Sequence, residues 1–125
     1  MRTILIADDD PVMVKLLEFN LKRGGFRLVQ CRDGSSVAVQ ARHNQPALAI
    51  FDYMLPGRSG LELIEDFRAD ATLKTIPIII VTGQGKGSTR DELLAAGADE
   101  VFTKPFSPTE LLNRIEQLLK APTQG

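Results

Sequence analysis

The stretch Ala49-Ile50-Phe51-Asp52-Tyr53-Met54-Leu55-Pro56-Gly57 decides the fold. It closes an apolar run, Ala47 to Phe51, of the length and character of a strand buried on both faces, which stops at a carboxylate followed by a Pro-Gly turn. Strands of that kind belong to parallel sheets covered by helices, and ligands bind at the carboxyl ends of such strands. Asp52 is therefore expected at the chemically useful edge of a central strand.

Working outward, Thr3-Ile4-Leu5-Ile6-Ala7 is another strand-length run, and it ends in Asp8-Asp9-Asp10-Pro11. Asp10 before Pro11 reads as an N-cap followed by proline at the first helical position, and Gly24-Gly25 stop the helix after Arg23. Met13, Leu16, Leu17, Asn20 and Leu21 are its expected inward stripe, with Asn20 satisfied by nearby backbone. Phe26 to Cys31 is a more amphipathic, edge-like strand, and Ser35 to His43 a helix after the Asp33-Gly34 turn. Beyond the Pro56-Gly57 loop, Ser59 caps a helix running to Ala69, with Leu61, Leu63, Ile64 and Phe67 as its apolar positions. Ile76 to Val81 is the most apolar run and ends in Thr82. A Gly83 to Gly87 loop leads to a short helix over Thr89 to Ala96, stopped by Gly97. Glu100 to Thr103 is the fifth strand, ending in Lys104-Pro105, and Ser107-Pro108-Thr109-Glu110 announces the last helix, whose wide apolar face carries Leu111, Leu112, Ile115, Leu118 and Leu119. Strand and helix alternate five times. The expectation is an α/β domain with a five-stranded doubly wound parallel sheet, order 2-1-3-4-5, in the flavodoxin-like (βα)5 manner.

The 125 residues fit one domain, expected over 1–120, with 121–125 as a tail or the start of a linker. Fifteen basic against sixteen acidic residues leave no electrostatic footprint for nucleic acid. The lone Cys31 cannot pair internally, neither a secretion signal nor an apolar run of spanning length is present, and a cytoplasmic address without membrane insertion is expected. His43, the only histidine, sits in a polar segment and reads as a solvated helix end.

Four strands end in functional groups: Asp8 and Asp9, Asp52, Thr82, and Lys104. With strands one and three adjacent, three carboxylates converge beside a hydroxyl and an ammonium. Such carboxylates repel, and a hard divalent cation with oxygen ligands relieves them; Mg²⁺ suits a site with few protein ligands. A metal-bound carboxylate beside a lysine and a threonine suits a transferred phosphoryl group, with Asp52 as nucleophile and the Met54 carbonyl within reach of the same metal.

Ile4-Leu5-Ile6-Ala7-Asp8-Asp9-Asp10-Pro11, Phe51 to Gly57, Val81-Thr82-Gly83, Ala96-Gly97-Ala98-Asp99 and Thr103-Lys104-Pro105-Phe106 together resemble the receiver domain of two-component response regulators. The resemblance covers the whole chain. It implies Mg²⁺-dependent phosphorylation of Asp52 by a phosphohistidine of a sensor histidine kinase or phosphotransfer protein, then slow loss of phosphate to water. It also implies metal binding by Asp9, Asp52 and the Met54 carbonyl, with Asp8 acting through water, phosphoryl contacts from Thr82 and Lys104, and a cis Lys104-Pro105 peptide. Receivers often carry an aromatic switch residue three before the lysine; here that position is Val101, and strand alternation turns its neighbour Phe102 to the opposite face, where it is expected in the core.

The expected protein is thus a signalling switch and not an enzyme: a stand-alone, chemotaxis-regulator-like receiver that meets a downstream effector through protein contacts, as a monomer or a phosphorylation-dependent dimer. The alternatives are an N-terminal receiver piece of a larger regulator, an Mg²⁺-dependent aspartyl-nucleophile phosphatase, for which no substrate pocket or second acid is apparent, and an unphosphorylated scaffold. Gly83 to Ser88 lacks the Gly-Lys-Ser/Thr of a P-loop and is expected instead to give the loop freedom to move. Val12 and Phe19, seven apart with Lys15 between them, mark a face of the first helix expected to help dock the phosphodonor.

Overall fold

The structure is a computed structural model that describes residues 2–83 and 88–120. Five strands alternate with five helices: β1 Thr3–Ala7, α1 Pro11–Arg23, β2 Arg27–Cys31, α2 Val37–Asn44, β3 Leu48–Asp52, α3 Gly60–Ala69, β4 Ile78–Thr82, α4 Arg90–Ala96, β5 Glu100–Thr103 and α5 Pro108–Lys120. All pairings are parallel, in the order β2-β1-β3-β4-β5, as expected. β3 and β4, the two most apolar strands, are buried along their whole length. They lie in the middle of the sheet, where both faces are covered.

Two apolar layers flank the sheet. On one face Leu5, Phe51 and Ile80 meet α2, α3 and α4 through Val37, Phe67 and Leu93, with Phe67 edge-on to Phe51 at 5.1 Å. On the other, Ile4, Ile50 and Ile79 meet α1 and α5 through Leu17, Leu21, Leu111 and Ile115. Alternation along each strand feeds both layers at once.

The helix starts follow local chemistry. Asp10 accepts the Val12 N–H at 2.9 Å ahead of Pro11, Ser59 with Glu62 and Thr89 with Glu92 form capping boxes, and Ser107 accepts the Glu110 N–H at 3.2 Å. α2 begins later than Ser35, because Asp33 caps a 3₁₀ turn over Gly34–Ser36 first. Ile76 and Pro77 precede β4; the Pro77 carbonyl still accepts from Ala49 at 2.9 Å, while its missing N–H keeps the ladder from starting there.

The inward stripe of α1 differs from the expected one. Val14, Leu17 and Leu21 are buried, Met13 packs partly against the core, and Leu16 is exposed. Packed on the sheet beside α5, α1 turns its 14–17–21 line inward, which carries Leu16 towards solvent. Asn20 donates to the Leu16 carbonyl at 2.8 Å, the local satisfaction expected of it. Phe102 is half-buried and not fully in the core. It lies on the α1–α5 face against Phe106, ring centroids 5.9 Å apart, whereas Val101 is buried on the opposite face.

Arg68 ties the far side together. Its guanidinium donates to the carbonyls of Lys74, Ile76 and Gly97 and to Asp99, whose carboxylate also accepts the Ile78 N–H. Gly97, at φ 126°, takes a conformation that favours glycine. Replacing Arg68 with Ala leaves several carbonyls without a donor, and urea unfolding is expected to show a loss of about 2–4 kcal/mol.

Candidate functional site

The carboxyl ends of β1, β3, β4 and β5 meet at one edge. Asp8 follows β1, its N–H bonded to the Cys31 carbonyl at 3.0 Å, and its carboxylate accepts the Asp10 N–H at 2.9 Å. Asp52 is the last residue of β3, opposite Val81. Thr82 ends β4 beside Thr103 of β5, and the Lys104 N–H continues the ladder to the Thr82 carbonyl at 2.8 Å. Strand pairing alone therefore carries all four residues to the rim.

Asp8, Asp9 and Asp52 each offer an oxygen, and these oxygens lie within 4.8 Å of one another; Asp8 and Asp52 are buried, Asp9 exposed. Lys104 Nζ stands 3.7 Å from Asp52 Oδ1. The same Asp52 oxygen receives the Met54 N–H at 3.3 Å, while the Met54 side chain is exposed. Thr82 is buried, its hydroxyl donating to the Gly83 carbonyl at 3.1 Å. The Lys104-Pro105 peptide is cis.

Burial pushes the Asp52 carboxyl above its usual range, against the pull of Lys104. Asp8 is pushed up to about 6, chiefly by burial and further by the Asp52 charge, although the Asp10 N–H and Lys104 oppose the rise. A pocket that resists ionising its own carboxylates is one that a small hard cation would stabilise, and the all-oxygen donor set fits such an ion.

The loop beyond Asp52 contains the expected Pro56-Gly57 turn and is braced by contacts with the Asp33-Gly34 turn that the sequence does not announce. Gly57, at φ 88°, lies so close to Asp33 that a Cβ would collide with its carboxylate. The Pro56 carbonyl accepts the Gly34 N–H at 2.8 Å, and Arg58 makes a two-pronged pair with Asp66 at 2.7 and 2.9 Å. Nothing in the one-dimensional pattern links residue 33 to 57. The Gly83–Ser88 loop expectation and the 121–125 tail fall largely outside the described residues, which exclude 84–87 and 121–125.

The doubly wound parallel sheet with an acidic, lysine-flanked pocket at its carboxyl edge defines the receiver class of signalling module. The chain matches the response regulator receiver domain family over residues 4–116 and belongs to it. It is 36% identical over 119 residues to the phosphate regulon transcriptional regulatory protein PhoB of Klebsiella pneumoniae, an alignment covering 95% of this chain and 52% of that protein. The chain thus spans about half the length of the curated relatives it matches. The signal receiver domain of a signal transduction histidine kinase from Syntrophus aciditrophicus matches it with a TM-score of 0.88 at 28% identity, over 100% of this chain and 95% of that one. The receiver domain of sensor histidine kinase PA1611 from Pseudomonas aeruginosa PAO1, which holds a magnesium ion in its active-site cleft, gives 0.86 at 26% identity, over 96% and 98%. No helix among the described residues is long and apolar enough to cross a membrane.

The raised Asp8 value carries a sign. Its folded carboxyl holds a proton that the unfolded chain releases near pH 4, so cation-free protein loses stability as pH rises from about 4 to about 6, by roughly 2 kcal/mol. Urea melts in EDTA should show that decline in the wild type and a markedly flatter profile in Asp8→Asn.

Proposed function

We propose that this domain is a phosphoacceptor switch in which Asp52 receives a phosphoryl group from a phosphohistidine of a sensor histidine kinase or phosphotransfer protein. The observation that carries the reading is the buried Asp52 carboxylate, with Lys104 3.7 Å away and two further carboxylates gathered around it. Asp8, Asp9, Asp52 and the Met54 carbonyl are the groups to hold Mg²⁺. When bound, that ion supplies positive charge for the carboxylates and for the oxygens of the incoming phosphoryl group.

The chain's own residues do the rest. An Asp52 oxygen attacks phosphorus in line, a P–O bond forms, the P–N bond to the donor imidazole breaks, and the imidazole nitrogen keeps the electron pair. The Lys104 ammonium balances charge on a phosphoryl oxygen. The Thr82 hydroxyl, turned away from the Gly83 carbonyl, donates to another. Water later takes the phosphoryl group from Asp52, which resets the switch. Output passes by protein contacts to a downstream effector, from a monomer or a phosphorylation-dependent dimer in the cytoplasm.

A second reading, that the domain is the receiver of a larger regulator, is favoured by the curated relatives being about twice as long. The site chemistry is the same in both.

The donor is expected to approach over α1. Val12, Leu16 and Phe19 form an exposed apolar line at helical spacing, and the Arg23 guanidinium lies 5.5 Å from the Phe19 ring centre. Phe19→Ala should slow transfer from a phosphohistidine protein roughly tenfold, the scale of a lost interface anchor, and leave labelling by acetyl phosphate unchanged.

The direct test is intact mass after acetyl phosphate treatment. One phosphate should be gained by the wild type with Mg²⁺, and none in EDTA or by Asp52→Asn. Labelling of Asp52→Asn to the wild-type extent would overturn the assignment, and turnover of a generic phosphomonoester would favour a phosphatase.

A further inference from the structure

Tyr53 directly follows Asp52, and its backbone is held on both sides. Its N–H donates to the Val81 carbonyl at 2.9 Å, and its carbonyl accepts from Gly60 at 2.9 Å. Gly60 packs so closely that a Cβ there would stand 2.9 Å from Tyr53 Cα. The half-buried ring lies against the core on the α2–α3–α4 face. From there the phenol reaches another element: it accepts the Ser88 N–H at 3.0 Å and lies 3.1 Å from Ser88 Oγ.

Ser88 immediately precedes Thr89, the N-cap of α4. One side chain therefore joins the residue after Asp52 to the entrance of a helix 35 positions later. The other end of α4 is held independently, by Arg68 on the Gly97 carbonyl at 2.7 and 2.9 Å. On β5, Val101 offers no polar side-chain atom to serve the same purpose: its side chain shares an apolar layer with Leu93, and its carbonyl accepts from Arg90 of α4 at 3.0 Å.

We infer that the Tyr53 hydroxyl is the link through which the state of Asp52 reaches α4. The inference rests on Asp52 being modified as proposed above. Thr82 and Ser88 stand at the two ends of a single connection from β4 to α4. Drawing the Thr82 hydroxyl onto a phosphoryl group takes it from the Gly83 carbonyl and frees one end of that connection, while the phenol restrains the other. Thr82 is locked into the sheet by its backbone, whereas among the described residues Ser88 is hydrogen-bonded to the Tyr53 phenol just beyond β3, so the phenol contact is the element that yields. Its release loosens the first turn of α4, where backbone N–H groups have no partners within the helix.

Tyr53→Phe tests this, because it keeps the ring in its packing and removes only the hydroxyl. Wild type and variant are compared untreated and with Mg²⁺ and acetyl phosphate kept in excess, by intact mass and by amide hydrogen exchange over residues 88–96. Both proteins are expected to gain one phosphate. Wild-type exchange over 88–93 should rise roughly fivefold on phosphorylation, the factor of one typical hydrogen bond. Untreated Tyr53→Phe should already exchange at the raised rate and change less than about twofold on treatment. A full wild-type difference in the variant, or no change in phosphorylated wild type, would overturn the link while leaving the phosphorylation chemistry standing. If neither protein gains mass, the fault lies with the Asp52 assignment, and the link falls with it.

Discussion

Repulsion among carboxylates is the constraint on which this domain is built. Asp8, Asp9 and Asp52 bring oxygens within 4.8 Å of one another, and two of the three residues are buried. Like charges in a partly dehydrated pocket raise each other's free energy, and Lys104 at 3.7 Å answers only part of that. The site is therefore poised: a cation, a proton or a phosphoryl group arriving there changes its balance more than it would at an ordinary surface.

Such a pocket is sustainable because the sheet beneath it is firmly held. There is no polar slack in β3 and β4, which are buried end to end, and their register fixes where Asp52 and Thr82 emerge. The two apolar layers hold that register from both sides, since a slip of one residue would exchange their contents. Stability invested in the core thus supports a destabilised rim.

The rim is also unevenly tethered. Towards β2 the loop after Asp52 is braced by Asp33, Gly34 and the Arg58–Asp66 pair. Towards α4 the Tyr53 phenol holds Ser88 and Arg90 reaches the Val101 carbonyl, while the distant end of that helix is gripped by Arg68. The phenol couples the residue after Asp52 to the entrance of that helix. In a chain with Val101 on β5, the residue beside Asp52 is an economical place for that coupling to lie.

Much of this was legible in the sequence because it depends on near neighbours. Apolar runs ending in Asp8, Asp52, Thr82 and Lys104 declare strands and strand exits, and Asp10, Ser59 and Ser107 declare helix starts, since a cap acts within one turn. Parallel strands joined by helices then have few ways to assemble, so the sheet order and the gathering of acids at one edge follow. The tertiary structure alone decided which way α1 rolls, and so why Val14 is buried and Leu16 exposed: helical period fixes relative faces but not which of two overlapping apolar stripes meets the sheet. It alone joined Tyr53 to Ser88, Arg68 to Gly97 and Asp33 to Gly57, for these contacts span tens of residues and depend on where packed elements come to rest, which no local pattern encodes.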